Sequence, residues 1–201
     1  MKVTTPGADG RQRIMDAAAE LFLRQGYPET SLRHIAGAAG MKAGSLYYHF
    51  NSKDDLLTAI LRQGITVMVD AFEAAAADVA SAPPAEIIAT HVRAHLGALF
   101  EHGPYTAAHV ITFHTAPAPV REAIVPFRDG YEALWAGLLG DLADAGALAG
   151  DVKIGLSRLT LFGAMNTAIE WFDVERSSLD ELADTIAGQF WTGVAASGKR
   201  P

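Results

Sequence analysis

The sequence predicts an all-α chain of about nine helices, and three observations carry that reading. Apolar residues return at helical spacing along most of the length, as Leu32, Ile35, Ala36 and Ala39 do. Glycine and proline break those runs at Gly26, Gly40, Pro83-Pro84, Gly103-Pro104, Pro117 and Gly146. No stretch reads as a strand.

Residues 1–9 are polar, include Pro6 and Gly7, and are expected to be disordered. A first helix is predicted from Asp9 or Gly10 to Gln25, with Ile14, Ala17, Ala18, Leu21 and Phe22 as its buried stripe and Gly26 as its stop. Tyr27-Pro28-Glu29 links it to a second, short helix. Thr30 or Ser31 caps that helix by accepting from a free N–H of the opening turn. Gly40 ends it, because glycine tolerates the left-handed backbone of a helix terminus. The third helix puts Leu46 and Phe50 on one side and Lys42, Ser45, Tyr47, Tyr48 and His49 on the other. Two short helices joined by a glycine turn form a helix-turn-helix, whose second helix enters the major groove of DNA. Polar aromatics on so short a helix are poor core material, so their partner lies outside the protein.

Ser52 caps the fourth helix, Asp54 and Asp55 favour the positive end of its dipole, and Leu56, Leu57 and Ile60 point inward. Lys53 at that terminus is expected to hold a DNA phosphate. The helix continues to about Val79, a span of roughly 40 Å at 1.5 Å per residue. A fifth helix follows from about Ala85 to Glu101, a sixth from Tyr105 to Thr115, and a seventh from Val120 to Ala145 with Gly146 as its C-cap. The eighth, from about Asp151 to Phe172, is apolar nearly all round and needs two partners. The ninth runs from about Ser178 to Val194, and the tail from Ser197 is expected to fray. One face of the last two helices is expected to close the domain and the other to meet a second copy. The predicted division is a DNA-binding domain over 1–52 and a ligand-binding and dimerisation domain over 53–201.

Charge is uneven. Of the net −7, residues 1–63 contribute eight Lys/Arg against six Asp/Glu, and residues 64–201 eight against seventeen. A mildly basic head on an acidic body is compatible with phosphate binding. There is no cysteine, no apolar core of a signal peptide, and no run that reads as a membrane span, so a cytoplasmic protein is expected. No strand precedes a glycine-rich loop, no nucleophile elbow is present, and no carboxylate pair stands out. Catalysis and a cofactor are not expected. His91 and His95 stand at i, i+4, yet no further ligand lies at a recognised metal spacing, so no metal site is assigned.

The segment Arg13 to Leu61, including SLYYHFNSKDDLL, resembles the N-terminal domain of TetR/AcrR-type transcriptional repressors. That resemblance implies an all-helical homodimer that binds a palindromic double-stranded DNA operator and releases it when a small molecule enters the C-terminal domain. On the matched positions the DNA contacts would be Ser31, Arg33, Lys42, Ala43, Gly44, Ser45, Tyr47, Tyr48, His49 and Lys53. His34 departs from the family, which more often has an acidic residue there. Ala43 and Gly44 offer no side-chain hydrogen bond to bases, which shifts specificity toward Lys42, Tyr48 and DNA shape.

In the body, polar groups are scattered among apolar ones. Mid-helix Asn166 is the most telling, since a buried amide must find partners and pockets are lined by such groups. The candidate ligand-binding residues are His95, Phe100, His109, Phe113, Trp135, Phe162, Met165, Asn166 and Ile169. The run LFGAMNTAIEWF weakly resembles family members that answer to acyl-CoA thioesters, although Thr167 follows Asn166 and Phe172 follows Trp171 where those members carry other residues. A small hydrophobic effector, with an acyl-CoA among the candidates, is the expectation. The alternative is a helical small-molecule-binding protein with no DNA role.

Overall fold

Nine α-helices and one 3-10 turn make up the regular structure of the residues that the computed structural model describes, 6–79, 81–101 and 103–196. They are α1 (Pro6–Gln25), α2 (Leu32–Ala38), α3 (Ala43–His49), α4 (Lys53–Asp78), α5 (Pro84–Glu101), α6 (Pro104–Thr112), the 3-10 turn Phe113–Thr115, α7 (Ala118–Asp144), α8 (Ile154–Trp171) and α9 (Leu179–Val194). No helix among the described residues is long and apolar enough to cross a membrane.

Several boundaries differ from expectation, each for a local reason. Residues 6–9 are helical, because proline at the first position of a helix loses no hydrogen bond and supplies the right φ. Residues 1–5, and the tail expected to fray from Ser197, lie outside the described residues. The sixth helix stops at Thr112 and tightens into the 3-10 turn. Pro117 forces Ala116 into an extended conformation, ψ 150°, so the helix cannot run on. The seventh begins earlier, at Ala118, and runs through Pro126. The eighth starts three residues late: a turn from Val152 N to Ala149 O at 3.0 Å and an extended Lys153 precede it.

The chain divides into two packed units, one of residues 1–66 with 102–128 and one of 67–101 with 129–201. In the first, Ile14, Ala18, Leu21 and Phe22 of α1 are buried, as are Ile35 of α2, Leu46 and Phe50 at α3, and Leu56, Leu57, Ile60 and Leu61 of α4. These are the helical-period positions, and removing them from water is the main stabilising term. α6 packs along α1. The phenol of Tyr105 donates to the Asp16 carboxylate, and Gln12 Nε2 donates to the Tyr105 oxygen at 2.8 Å. Gly64 admits the α6 backbone: a Cβ there would stand 2.9 Å from the Tyr105 carbonyl carbon and 3.0 Å from His109 Cβ.

In the second unit α5 packs against both α8 and α9. Its core holds Ile88, Val92, Leu96, Trp135, Leu139, Leu161, Met165, Ala183, Ala187 and Trp191. Gly146, at φ +67°, closes α7 as expected, with Ala147 N donating to Leu142 O at 2.9 Å. Ala149 N to Val194 O (2.8 Å) and Ala196 N to Ala147 O (2.9 Å) then pin the loop after α7 to the end of α9.

Candidate nucleic-acid interface and effector core

Ser31, not Thr30, caps α2: its Oγ accepts from His34 N at 3.1 Å. Thr30 is buried, and its hydroxyl donates back to Gly26 O at 2.8 Å. The turn between α2 and α3 closes through Gly40 at φ +68°, with Met41 N donating to Ala36 O at 2.8 Å. Arg13 of α1 reaches across to donate to the Ala39 carbonyl at 2.5 Å, satisfying the end of α2. His34 has an intramolecular partner of its own, since Gln25 Nε2 donates to its Nδ1 at 3.3 Å.

Leu46 and Phe50 anchor α3 in the core, and the other side of the helix is bare. Tyr48 is 85 % exposed and Tyr47 59 %. Lys42, Ala43, Gly44 and Ser45 at the front of α3 are exposed, as are Ser31 and Arg33. His49 is half-buried, in edge contact with Tyr48 (ring centroids 5.1 Å) and with its Nε2 against Gly10. Eight of the ten candidate DNA contacts are therefore open to solvent along α2, the turn and α3.

Lys53 is placed differently. Its ammonium donates to Tyr27 O (2.8 Å), Thr30 O (2.9 Å) and Pro28 O (3.4 Å), and lies 4.1 Å from the centroid of the Tyr27 ring. The Tyr27 phenol donates to Asp54; burial, then that carboxylate, pushes it above its ordinary range. Lys53 thus ties the start of α4 to the α1–α2 link. The same terminus is capped from within, with Asp55 N donating to Ser52 Oγ (3.0 Å) and Asn51 N to Asp55 Oδ2 (3.1 Å).

The effector candidates fall in both units, and each is described where it lies. In the first unit, Phe113 lies under the Arg128 guanidinium (4.1 Å) beside His109. In the second, Phe100 meets Phe172 at 5.7 Å, while Ile169 is half-buried. His95, Trp135 and Met165 are buried, and Phe162 and Asn166 are half-buried. His95 takes the Tyr131 O–H on Nδ1 (2.8 Å) and donates from Nε2 to Asn166 Oδ1 (3.1 Å). Burial pulls its pKa down to about 4, against the opposing pull of Asn166, so the ring is neutral. Trp135 is the hub of an aromatic cluster with Phe72, His91, His95 and Phe162 at 5.4–6.2 Å.

Two members of this cluster, Phe72 and His91, stood outside the candidate residues read from the sequence. The i, i+4 relation of His91 to His95 was the available signal for one of them. Among the described residues no three His, Asp or Glu gather as a metal site. Arg93, Arg121, Arg128 and Arg158 are each engaged within the fold: Arg93 with Asp180 (3.2 Å) and Asp184 (2.5 Å), Arg158 with Glu132, Arg121 with Ala116 O (2.6 Å), and Arg128 with Phe113.

A helix-turn-helix head with a bare reading helix, joined to a helical body with an aromatic, hydrogen-bonding core, defines a DNA-binding transcriptional regulator of the ligand-responsive kind. Residues 14–60 match the model of bacterial regulatory proteins of the tetR family, and residues 81–194 match a tetracyclin repressor-like C-terminal domain. The chain belongs to the TetR family, whose members are regulators and not enzymes. It is 27 % identical over 188 residues to the HTH-type transcriptional repressor KstR2 of Rhodococcus jostii, covering 92 % of this chain and 90 % of that protein. To the HTH-type regulator TtgW of Pseudomonas putida it is 45 % identical over 60 residues, 30 % of this chain and 45 % of that one. The crystal structure of AibR in complex with isovaleryl coenzyme A and operator DNA shares the fold, with TM-score 0.78 and 23 % identity over 90 % of this chain and 97 % of that one.

Proposed function

We propose that the chain is a repressor that binds a palindromic operator as a homodimer and is released by a small hydrophobic or acyl-type effector. The exposed face of α3 carries this reading: Tyr47 and Tyr48 have no place in the fold, while Leu46 and Phe50 hold them in position. Lys42, Ser45, Ser31 and Arg33 surround them with donors suited to bases and phosphates. The test is operator selection from genomic DNA, followed by anisotropy with Tyr48→Ala. Affinity should fall at least tenfold with the melting temperature unchanged. Unchanged affinity removes the reading.

Dimerisation is assigned to α8 and α9. α8 leaves Leu156 (66 %) and Leu159 exposed on the side away from buried Leu161, Met165 and Ala168, with Trp171 (61 %) exposed on its flank. Gly155 and Gly163 of α8 and Gly188 and Gly193 of α9 have open space where a Cβ would be, which suits close approach of a second copy. An isologous pair would present two heads to two half-sites. Leu159→Glu should yield monomers by sedimentation and weaken operator binding.

The effector is assigned to the aromatic core of the second unit. AibR, bound to isovaleryl coenzyme A, supports an acyl compound. The engaged arginines favour the apolar portion over a phosphate-bearing one as the part these residues read.

A further inference from the structure

We propose that the aromatic core of the second unit takes a neutral, apolar molecule carrying a hydroxyl group, which is held between His91 and Trp135. This rests on the regulator reading above and names the chemistry of its effector.

Two buried polar atoms in one ring cluster carry the inference. His91 is 2 % exposed, and its Nδ1–H donates to Ile87 O at 2.8 Å. A carbonyl only accepts, so the proton sits on Nδ1 and Nε2 keeps a bare lone pair that no group meets. Trp135 is fully buried, and its Nε1–H leans toward the Tyr131 oxygen without reaching hydrogen-bonding geometry. Buried polar atoms are nearly always paired, so an acceptor and a donor left bare on neighbouring rings, centroids 6.0 Å apart, mark a place for a third group.

The third group must donate to one nitrogen and accept from the other. A hydroxyl does both. A carboxylate would set its lone pairs against that of His91. An ammonium would leave the indole N–H unanswered and bring a charge into a core where the nearby Glu132 carboxylate is already held by Arg158. An ether or a hydrocarbon leaves His91 bare. The surroundings fit an apolar, flat body: Phe72 lies 4.5 Å from His91 and 5.4 Å from Trp135, and Phe162 lies 5.8 Å from Trp135. Phe162, at the edge of the cluster, is only half-buried.

The test compares 2-naphthol with 2-methoxynaphthalene, which has the same rings and no donor, by calorimetry on the full chain. Naphthol should bind roughly tenfold tighter or more, the effect of leaving a buried acceptor unmet. His91→Phe should bring the two within about twofold. A readout that needs no variant is the ¹⁵N resonance of His91 Nε2, which should move on adding naphthol and stay put with the ether. Equal affinities in the unaltered chain, or an Nε2 signal unmoved by saturating naphthol, overturns the proposal and assigns the pair to a buried water. Operator binding measured without either probe reports separately on the regulator reading: its absence would sink that reading and leave the naphthol preference standing.

Discussion

Lowering the pH should expose how strongly His95 is held neutral. Its pKa is about 4 in the fold, against about 6.5 in an unfolded chain. Between those values the unfolded chain takes up a proton that the folded one refuses. The contribution is therefore fully present above pH 6.5 and is lost as pH falls toward 4. By pH 4.5 the loss is about 2–3 kcal/mol, at roughly 1.36 kcal/mol per pH unit of unequal protonation. Two bonds define the state being protected, from Tyr131 into Nδ1 and from Nε2 to Asn166. Urea unfolding of the parent and of His95→Gln, from pH 7.5 to 4.5, isolates this residue from carboxylates that titrate in both. The stability gap between the two proteins should shift by about 2–3 kcal/mol in favour of the variant as pH falls. Parallel curves would refute the assignment of a neutral, doubly bonded His95.

Other predictions follow from the first unit. Tyr105→Phe removes the O–H that donates to Asp16 and the acceptor of Gln12, and should destabilise by about 1–3 kcal/mol in thermal unfolding. Gly64→Ala drives a methyl group against the Tyr105 backbone, which a side-chain rotation cannot relieve; a loss of about 1–3 kcal/mol is expected by denaturant titration. Lys53→Met keeps the aliphatic stem and removes the ammonium. If its work is to hold the three carbonyls, melting temperature should fall while the salt dependence of operator binding keeps its slope; a slope reduced by about one identifies a phosphate contact instead.

Helix identities, a hydroxyl cap at Thr30 or Ser31, the glycine turn and the bare face of α3 were legible in the sequence because each depends on neighbours within a turn or two. The apolar circumference of α8 was legible too, and its buried Leu161 and exposed Leu156 and Leu159 lie on opposite sides of the helix. Long-range contacts were not legible. Nothing local to Lys53 says that three carbonyls 23–26 residues away will surround its ammonium. The proposed effector core was half visible. Asn166 stood out as an amide on an apolar helix, but its partner His95 is 71 residues away, and His91 and Phe72 became members only when α4, α5 and α7 met. Likewise His109 and Phe113 joined the candidate set as aromatics in the body, whereas α6 belongs with the packing of α1.

The carbonyl grip of Lys53 has a mechanical meaning. Because the first residue of α4 clasps the link that leads into α2, the reading helix is a passenger fixed to the end of a rod rather than a part that flexes by itself. A change in the direction of the first turn of α4 would therefore carry the link and α2 with it without deforming either.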